Sequence, residues 1–240
     1  MQDRHIIQTY CQNCQTIMDL CRQLEPDLMP GNRNPYSISP IVQVLSVLHV
    51  LATGSFQHTV ALTGGMSQPM FTQVLSNVLC AFLQHLHHSY IKFPQRADMA
   101  NVKGDFYQMG LIPHVVGAID GTHLSLVPPN VNEQVQRNRK NYHSINVQVV
   151  CLADQYISQV TAKFPGSVPY PAKPEELRFN EAHGRTRRVL EHVFGPLKTR
   201  FRCLDLSQGA LLYLSHKVGQ IIVACCMLHN LAKVSDTIAS

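Results

Sequence analysis

Charged side chains are scarce in this 240-residue chain: Asp, Glu, Lys and Arg together make up 15%, against 45% hydrophobic residues. That ratio excludes a solvated, disordered tail and leaves a folded protein with enough core for one large domain or two small ones. The N-terminus, MQDRHIIQTY, lacks the apolar run and small-residue cleavage site of a secretory signal. Long hydrophobic runs are missing too. The longest apolar stretch, IIVACCMLHNLA, is too short and too interrupted to cross a bilayer, so a soluble protein with no membrane partner is expected. There is no internal repeat, no low-complexity segment, no glycine-rich phosphate loop and no nucleophile elbow. Cys11-x-x-Cys14 has no second Cys/His pair at zinc-finger spacing, which reads as a surface coincidence.

What is there starts with eight cysteines. Several (Cys80, Cys151, Cys225, Cys226) sit inside apolar runs, where a thiol packs as a small hydrophobe, and a reducing, intracellular compartment is expected. The 20 Lys and Arg exceed the 15 Asp and Glu, a net charge of +5 with histidine neutral. The excess is clustered. Arg137, Arg139 and Lys140 form one group; Arg185, Arg187, Arg188, Lys198, Arg200 and Arg202 form another, in the same segment as Glu191. Such a cluster is either a solvated helix face or a surface for an anionic partner.

The pattern along the chain is helical first and α/β after. Residues 1–30 read as an amphipathic helix, closed by the breakers Pro30, Gly31, Asn32, Asn34 and Pro35. Residues 39–53 are a strong helix: Ser39 at the N-cap, Pro40 at the first position, apolar residues at helical spacing, and Gly54 to end it. A short helix at 56–63, a glycine turn and a longer helix from Ser67 follow. Met70, Phe71, Val74, Leu75, Val78, Leu79 and Phe82 form the buried side of the longer one. Segment 39–84 thus has a helix-turn-helix outline, with Gln68, Thr72, Gln73 and Asn77 at the exposed start of its last helix. Those side chains either contact DNA bases or decorate an ordinary helical packing unit. From 113 the pattern turns to strands: Val115–Asp120 and His123–Val127 as a pair joined at Gly121, then Ser144–Ala153 and Tyr156–Phe164 turning at Asp154-Gln155. A proline-rich segment, a helix at roughly 180–200 and an apolar helix at about 215–233 complete the chain.

A carboxylate at the end of a buried strand needs a partner, because an isolated buried charge is costly. Asp120, in VVGAIDGTHLSL, is that carboxylate. His123 is near it in sequence and offers a hydrogen bond. Glu191, at the edge of an apolar helical stripe, either forms an ordinary ion pair with Arg187 one turn away or meets Asp120 across the fold to hold a divalent cation. In the second case the surrounding arginines would hold a nucleic-acid backbone.

Four segments then carry a resemblance. GAIDGTHLSLVPP, NYHSINVQVVCLADQYISQVTAKFPGS, RFNEAHGRTRRVLEHVFGPLKTRFRCLD and IIVACCMLHNLA, in this order, resemble the Harbinger-type (PIF/Harbinger, DDE superfamily) transposases and the nuclease domesticated from them. The likeness runs from about Ser39 to Leu231. It implies an α+β protein: a helical region over 1–112 with the helix-turn-helix-like segment at about 39–84, then an RNase H-like nuclease domain over 113–240. It also implies cleavage of DNA phosphodiester bonds by three acidic residues with a divalent metal, Mg²⁺ or Mn²⁺. The family's first acid falls on Asp120 and its third on Glu191. Arg185, Arg187, Arg188, Lys198 and Arg202 would contact DNA, and a Myb-like partner protein and a nuclear, in part cytoplasmic, location are implied as well.

The departure from the family lies around 168–169. The second family aspartate belongs to a G-D-S-G-Y-P segment several dozen residues beyond the P-G-S turn, but here Gly166-Ser167-Val168 runs almost directly into Pro169-Tyr170-Pro171. This resembles an internal deletion that takes the second acid and a strand beside the Asp120 strand, truncating the catalytic core. Only Glu133, Asp154, Glu175, Glu176 and Glu181 lie between Asp120 and Glu191. A nuclease impaired in this form is expected, with a non-catalytic DNA- or partner-binding protein as the alternative.

Overall fold

The computed structural model describes residues 2–29, 37–110, 113–127, 138, 142–165, 194–205 and 211–239. The chain divides into two compact units: residues 1–90 with 198–208 and 227–240, and residues 91–197 with 209–226.

The first unit is helical. In place of one helix over 1–30 there are two, α1 (Gln2–Tyr10) and α2 (Cys14–Leu28). The break is local chemistry. Cys11 takes a left-handed φ of 60°, and Asn13 caps α2 by accepting the Thr16 N–H at 2.7 Å. Buried Gln12 donates to the Leu228 carbonyl at 2.8 Å, which fixes the joint from outside the helices. The amphipathic pattern is only partly realised: Ile17, Leu20, Cys21 and Leu24 are buried, whereas Ile7 and Met18 are exposed.

The next three helices follow their sequence signals closely. α3 (Pro40–Thr53) starts after Ser39 and ends at Gly54, which adopts φ 69° and returns its N–H to the Val50 carbonyl at 2.9 Å. α4 (Gln57–Thr63) and α5 (Gln68–Tyr90) are joined through Gly64 and Gly65. Leu24, Val44, Val47, Leu48, Leu51, Phe71, Leu75, Val78 and Phe82 form the core. Two expected core residues lie outside it, Met70 and Cys80, both exposed. Met70 stands in the first turn of α5 on its exposed side, next to the fully buried Phe71.

The second unit holds α6 (Met99–Gly110) and a three-stranded antiparallel sheet in the order β1-β2-β3. The strands are β1 (Ala118–Ser125), β2 (Ser144–Cys151) and β3 (Ile157–Pro165). The β2–β3 turn is built as its sequence suggests: Asp154 accepts the Tyr156 N–H at 2.8 Å, and Gln155 supplies a φ of 70°. The expected hairpin at Gly121 does not form. β1 is continuous through Gly121, which pairs with Gln148 in the middle of the ladder. A glycine in a strand marks a close approach rather than a turn here, since a Cβ would lie 3.3 Å from the Asn146 Oδ1.

Of the helix expected at 180–200, residues 194–200 (α7) are described, and Arg202–Leu204 form a 3₁₀ turn after it. The last helix, α8 (Ser215–Ala239), is longer than its apolar run. By length and composition alone it would span a membrane, but most of its apolar window is buried in the fold, including Val218, Ile221, Ile222, Cys226 and Leu228. Gly219 on α8 lies against β3, where a Cβ would meet the Ala162 carbonyl oxygen at 3.1 Å.

Gly54 gives a sharp stability test. Its left-handed φ opposes a side chain, and a Cβ there would lie 3.3 Å from backbone atoms of Arg202 and Cys203. Gly54→Ala is expected to cost about 2 kcal/mol, read as a lower midpoint in a urea titration with an unchanged slope.

Candidate functional site

Period-two geometry puts Ala118, Asp120, Thr122 and Leu124 on one face of β1, opposite Cys151, Val149, Val147 and Ile145 of β2. Every one of those β2 residues is buried, as are Ala118 and Leu124. Asp120 is therefore a mid-strand carboxylate on the inner face of the sheet, half-buried, and not a strand-end residue as the sequence suggested. Among the described residues its hydrogen bond is local: Oδ1 accepts the Gly121 N–H at 2.8 Å.

That bond follows from the ladder. The Leu126 N–H donates to the His143 carbonyl, so residues of even number on β1 direct their backbone groups to β2. Odd-numbered residues point to the outer edge, where the Ser125 carbonyl and the Val127 N–H bond Leu211 in a short parallel bridge. Gly121 is odd-numbered, and its outward N–H is met by the carboxylate one residue back.

His123 is on the opposite face of β1 from Asp120 and does not serve it. Its Nδ1 lies 3.1 Å from the buried Ser144 Oγ, which also accepts from Asn138 Nδ2 at 2.9 Å. Asn138 exchanges further bonds with the Tyr142 backbone. This polar knot ties the approach to β2 to the sheet. Nothing in its residue spacing announced it, because His123 comes from β1 and its partners from residues 138–144.

Electrostatics around Asp120 register on Cys151. Burial, with the charges of Asp154 and Asp120 adding to it, pushes the Cys151 thiol from the ordinary 9.0 up to about 12. Burial likewise pushes Cys226 to about 12 and Cys11 to about 11, and the Cys11 thiol donates to the Arg200 carbonyl. All eight cysteines are free thiols, Cys14 and Cys80 exposed among them.

Glu191, Arg185, Arg187 and Arg188 lie outside the described residues. Lys198 is half-buried on α7 and Arg202 is exposed in the turn after it. Asp154, the described acid between Asp120 and Glu191, is committed to its turn. No group of three or more His, Cys, Asp or Glu side chains suited to a metal occurs among the described residues. Gln68, Thr72, Gln73 and Asn77 are exposed, as expected for the start of α5.

Comparison with known proteins adds the family. A family model described as DDE superfamily endonuclease matches residues 168–230. The protein named Putative nuclease HARBI1 in Bos taurus is 30% identical over 272 residues, covering 96% of this chain and 78% of its own length, and its Homo sapiens counterpart gives the same figures. The chain belongs to the Harbinger nuclease family. A more distant relative, Protein ALP1-like of Arabidopsis thaliana, is 23% identical over 84% of the chain and 62% of its own length. No solved structure matches. Helices with a small antiparallel sheet are the mixed α/β arrangement that accords with the DDE superfamily.

Thiol chemistry separates burial from charge at this site. At pH 8 a thiol reagent is expected to label Cys14 and Cys80 and to leave Cys151 and Cys226 untouched until the protein unfolds. Asp120→Asn removes only a minor contributor, so Cys151 stays protected in that variant; peptide mapping by mass spectrometry reads both results.

Proposed function

We propose that this chain is a transposase-derived nuclease scaffold acting on DNA, whose metal-dependent cleavage of phosphodiester bonds is impaired in this form. The observation that carries the reading is Asp120: a family-motif carboxylate on the inner face of the sheet with no second acid beside it among the described residues. The comparison supports an internal gap. The alignment with the HARBI1 relatives runs over 272 residues, more than the chain's 240, so those relatives hold residues that this chain lacks. The endonuclease family model begins to match at Val168, beside the junction of Val168 with Pro169.

The physical consequence concerns ligand count. Mg²⁺ takes oxygen ligands in near-octahedral geometry, and two-ion hydrolysis of a phosphodiester needs carboxylates that bridge the ions. A single carboxylate does not make such a site, so the described donors by themselves do not fit the metal. Glu191 is the second proposed ligand. Arg185, Arg187, Arg188, Lys198 and Arg202 are proposed to hold the DNA backbone, which fixes position without reading sequence. A nuclear and partly cytoplasmic location and a Myb-like partner belong to the same reading. The alternative is a protein that binds DNA or a partner without cutting.

Calorimetric titration with Mg²⁺ and Mn²⁺, alongside a supercoiled-plasmid nicking assay, tests this. The expected result is metal binding weaker than about 1 mM, lost in Asp120→Asn, with no nicking above background. Duplex binding should persist in Asp120→Asn, while Arg187→Ala with Arg188→Ala weakens it and lowers its salt slope by about 2. Nicking that needs metal and disappears in Asp120→Asn or Glu191→Gln would show a complete active site and end the reading.

A further inference from the structure

Strand β1 has an open side. β2 takes the backbone groups of its even-numbered residues, and the Leu211 bridge takes the Ser125 carbonyl and the Val127 N–H. At Ile119 and Gly121 the outward backbone groups meet no strand among the described residues. Both residues are exposed, Ile119 by 49%. Such an edge offers its N–H and C=O groups to any extended chain, and an exposed apolar side chain beside them makes it more adhesive.

The Gly121 N–H is the exception on this side. Gly121 has no side chain to shield its amide, but the Asp120 carboxylate accepts it at 2.8 Å and so occupies the donor that an added strand would need. A strand docking here would exchange a charge-assisted hydrogen bond for a neutral one about half as strong. It would also have to settle beside an ionised group. Inward-pointing charge on an edge strand is one of the devices by which sheets avoid pairing with other chains.

We infer that Asp120 has a second role, independent of metal and of cleavage: its carboxylate caps the open edge of β1 and keeps another chain from adding there. This role needs only an acceptor oxygen one residue before the amide, and the described residues already supply it. A ligand role for the same side chain would need further acids. The two roles respond differently to substitution. Asp120→Ala removes the ligand and the cap together, whereas Asp120→Asn removes the charge and keeps an acceptor oxygen in place.

Amide hydrogen exchange at Gly121, read by NMR in dilute full-length protein, tests the cap directly. Asp120→Ala is expected to speed that exchange about tenfold, and Asp120→Asn to stay within about threefold of the unsubstituted chain. Sedimentation velocity over a range of concentrations tests the consequence. At about 500 mM NaCl the repulsion between copies that each carry +5 is screened. There Asp120→Ala is expected to associate further as concentration rises, with the infrared signature of intermolecular strands, while Asp120→Asn sediments as the unsubstituted chain does. Adding Ile119→Lys to Asp120→Ala restores normal sedimentation, because a lysine on an edge strand opposes pairing. A variant that had merely misfolded would show no such rescue. Unchanged Gly121 exchange in Asp120→Ala, normal sedimentation of that variant, or association that Ile119→Lys leaves in place would each overturn the proposal.

Discussion

Strand β2 is the constraint on which the second unit depends. It is hydrogen-bonded on both sides, to β1 and to β3, and its inner-facing Val147, Val149 and Cys151 are fully buried. A shift of one residue in its register would turn those side chains outward and bring Gln148 inward. The same register decides that Asp120 faces inward beside Val149 while His123 faces away. The position of the one described candidate acid is thus set by apolar burial in a neighbouring strand, with no dedicated interaction needed to hold it.

The helical unit is held differently. Its stability rests on interdigitated aliphatic side chains of α2, α3 and α5, with Leu24, Leu48, Leu79 and Phe82 sealed from water. The polar contacts within this unit act as pins at particular joints. Asn230 reaches the Tyr90 carbonyl at 2.6 Å, Thr16 meets Ser235 at 2.9 Å, and Gln12 meets Leu228, so the end of α8 is fastened to helices from the start of the chain. Such long-range polar bonds, made in a low-dielectric setting, specify one packing among several that apolar surfaces alone would permit.

Some of this was legible in the sequence. Pro40 and Gly54 state the limits of α3 because a first-turn proline and a left-handed glycine act locally, although Ser39 makes no side-chain cap bond, and Asp154-Gln155 states its turn for the same reason. Features set by tertiary contact were not legible. Gly121 looks like a turn residue until β2 is seen passing beside it, and the joint at Cys11 depends on a left-handed residue and on a carbonyl more than two hundred positions away. In α6 the central Gly104 and Asp105 interrupt the apolar pattern, so its periodicity is faint although Val102 and Phe106 are buried. Of the candidate site, Asp120 was found by its cost as a charged residue in an apolar strand and by its motif. The inward direction of its side chain could come only from the register.

The bond between the Asp120 carboxylate and the adjacent Gly121 amide bears on denticity. One oxygen is already polarised by an N–H donor 2.8 Å away, so two-oxygen chelation of a cation would compete with that donor, whereas contact through Oδ2 would leave it in place. An amide left over at the edge of a sheet thus fixes which oxygen of the neighbouring carboxylate is engaged.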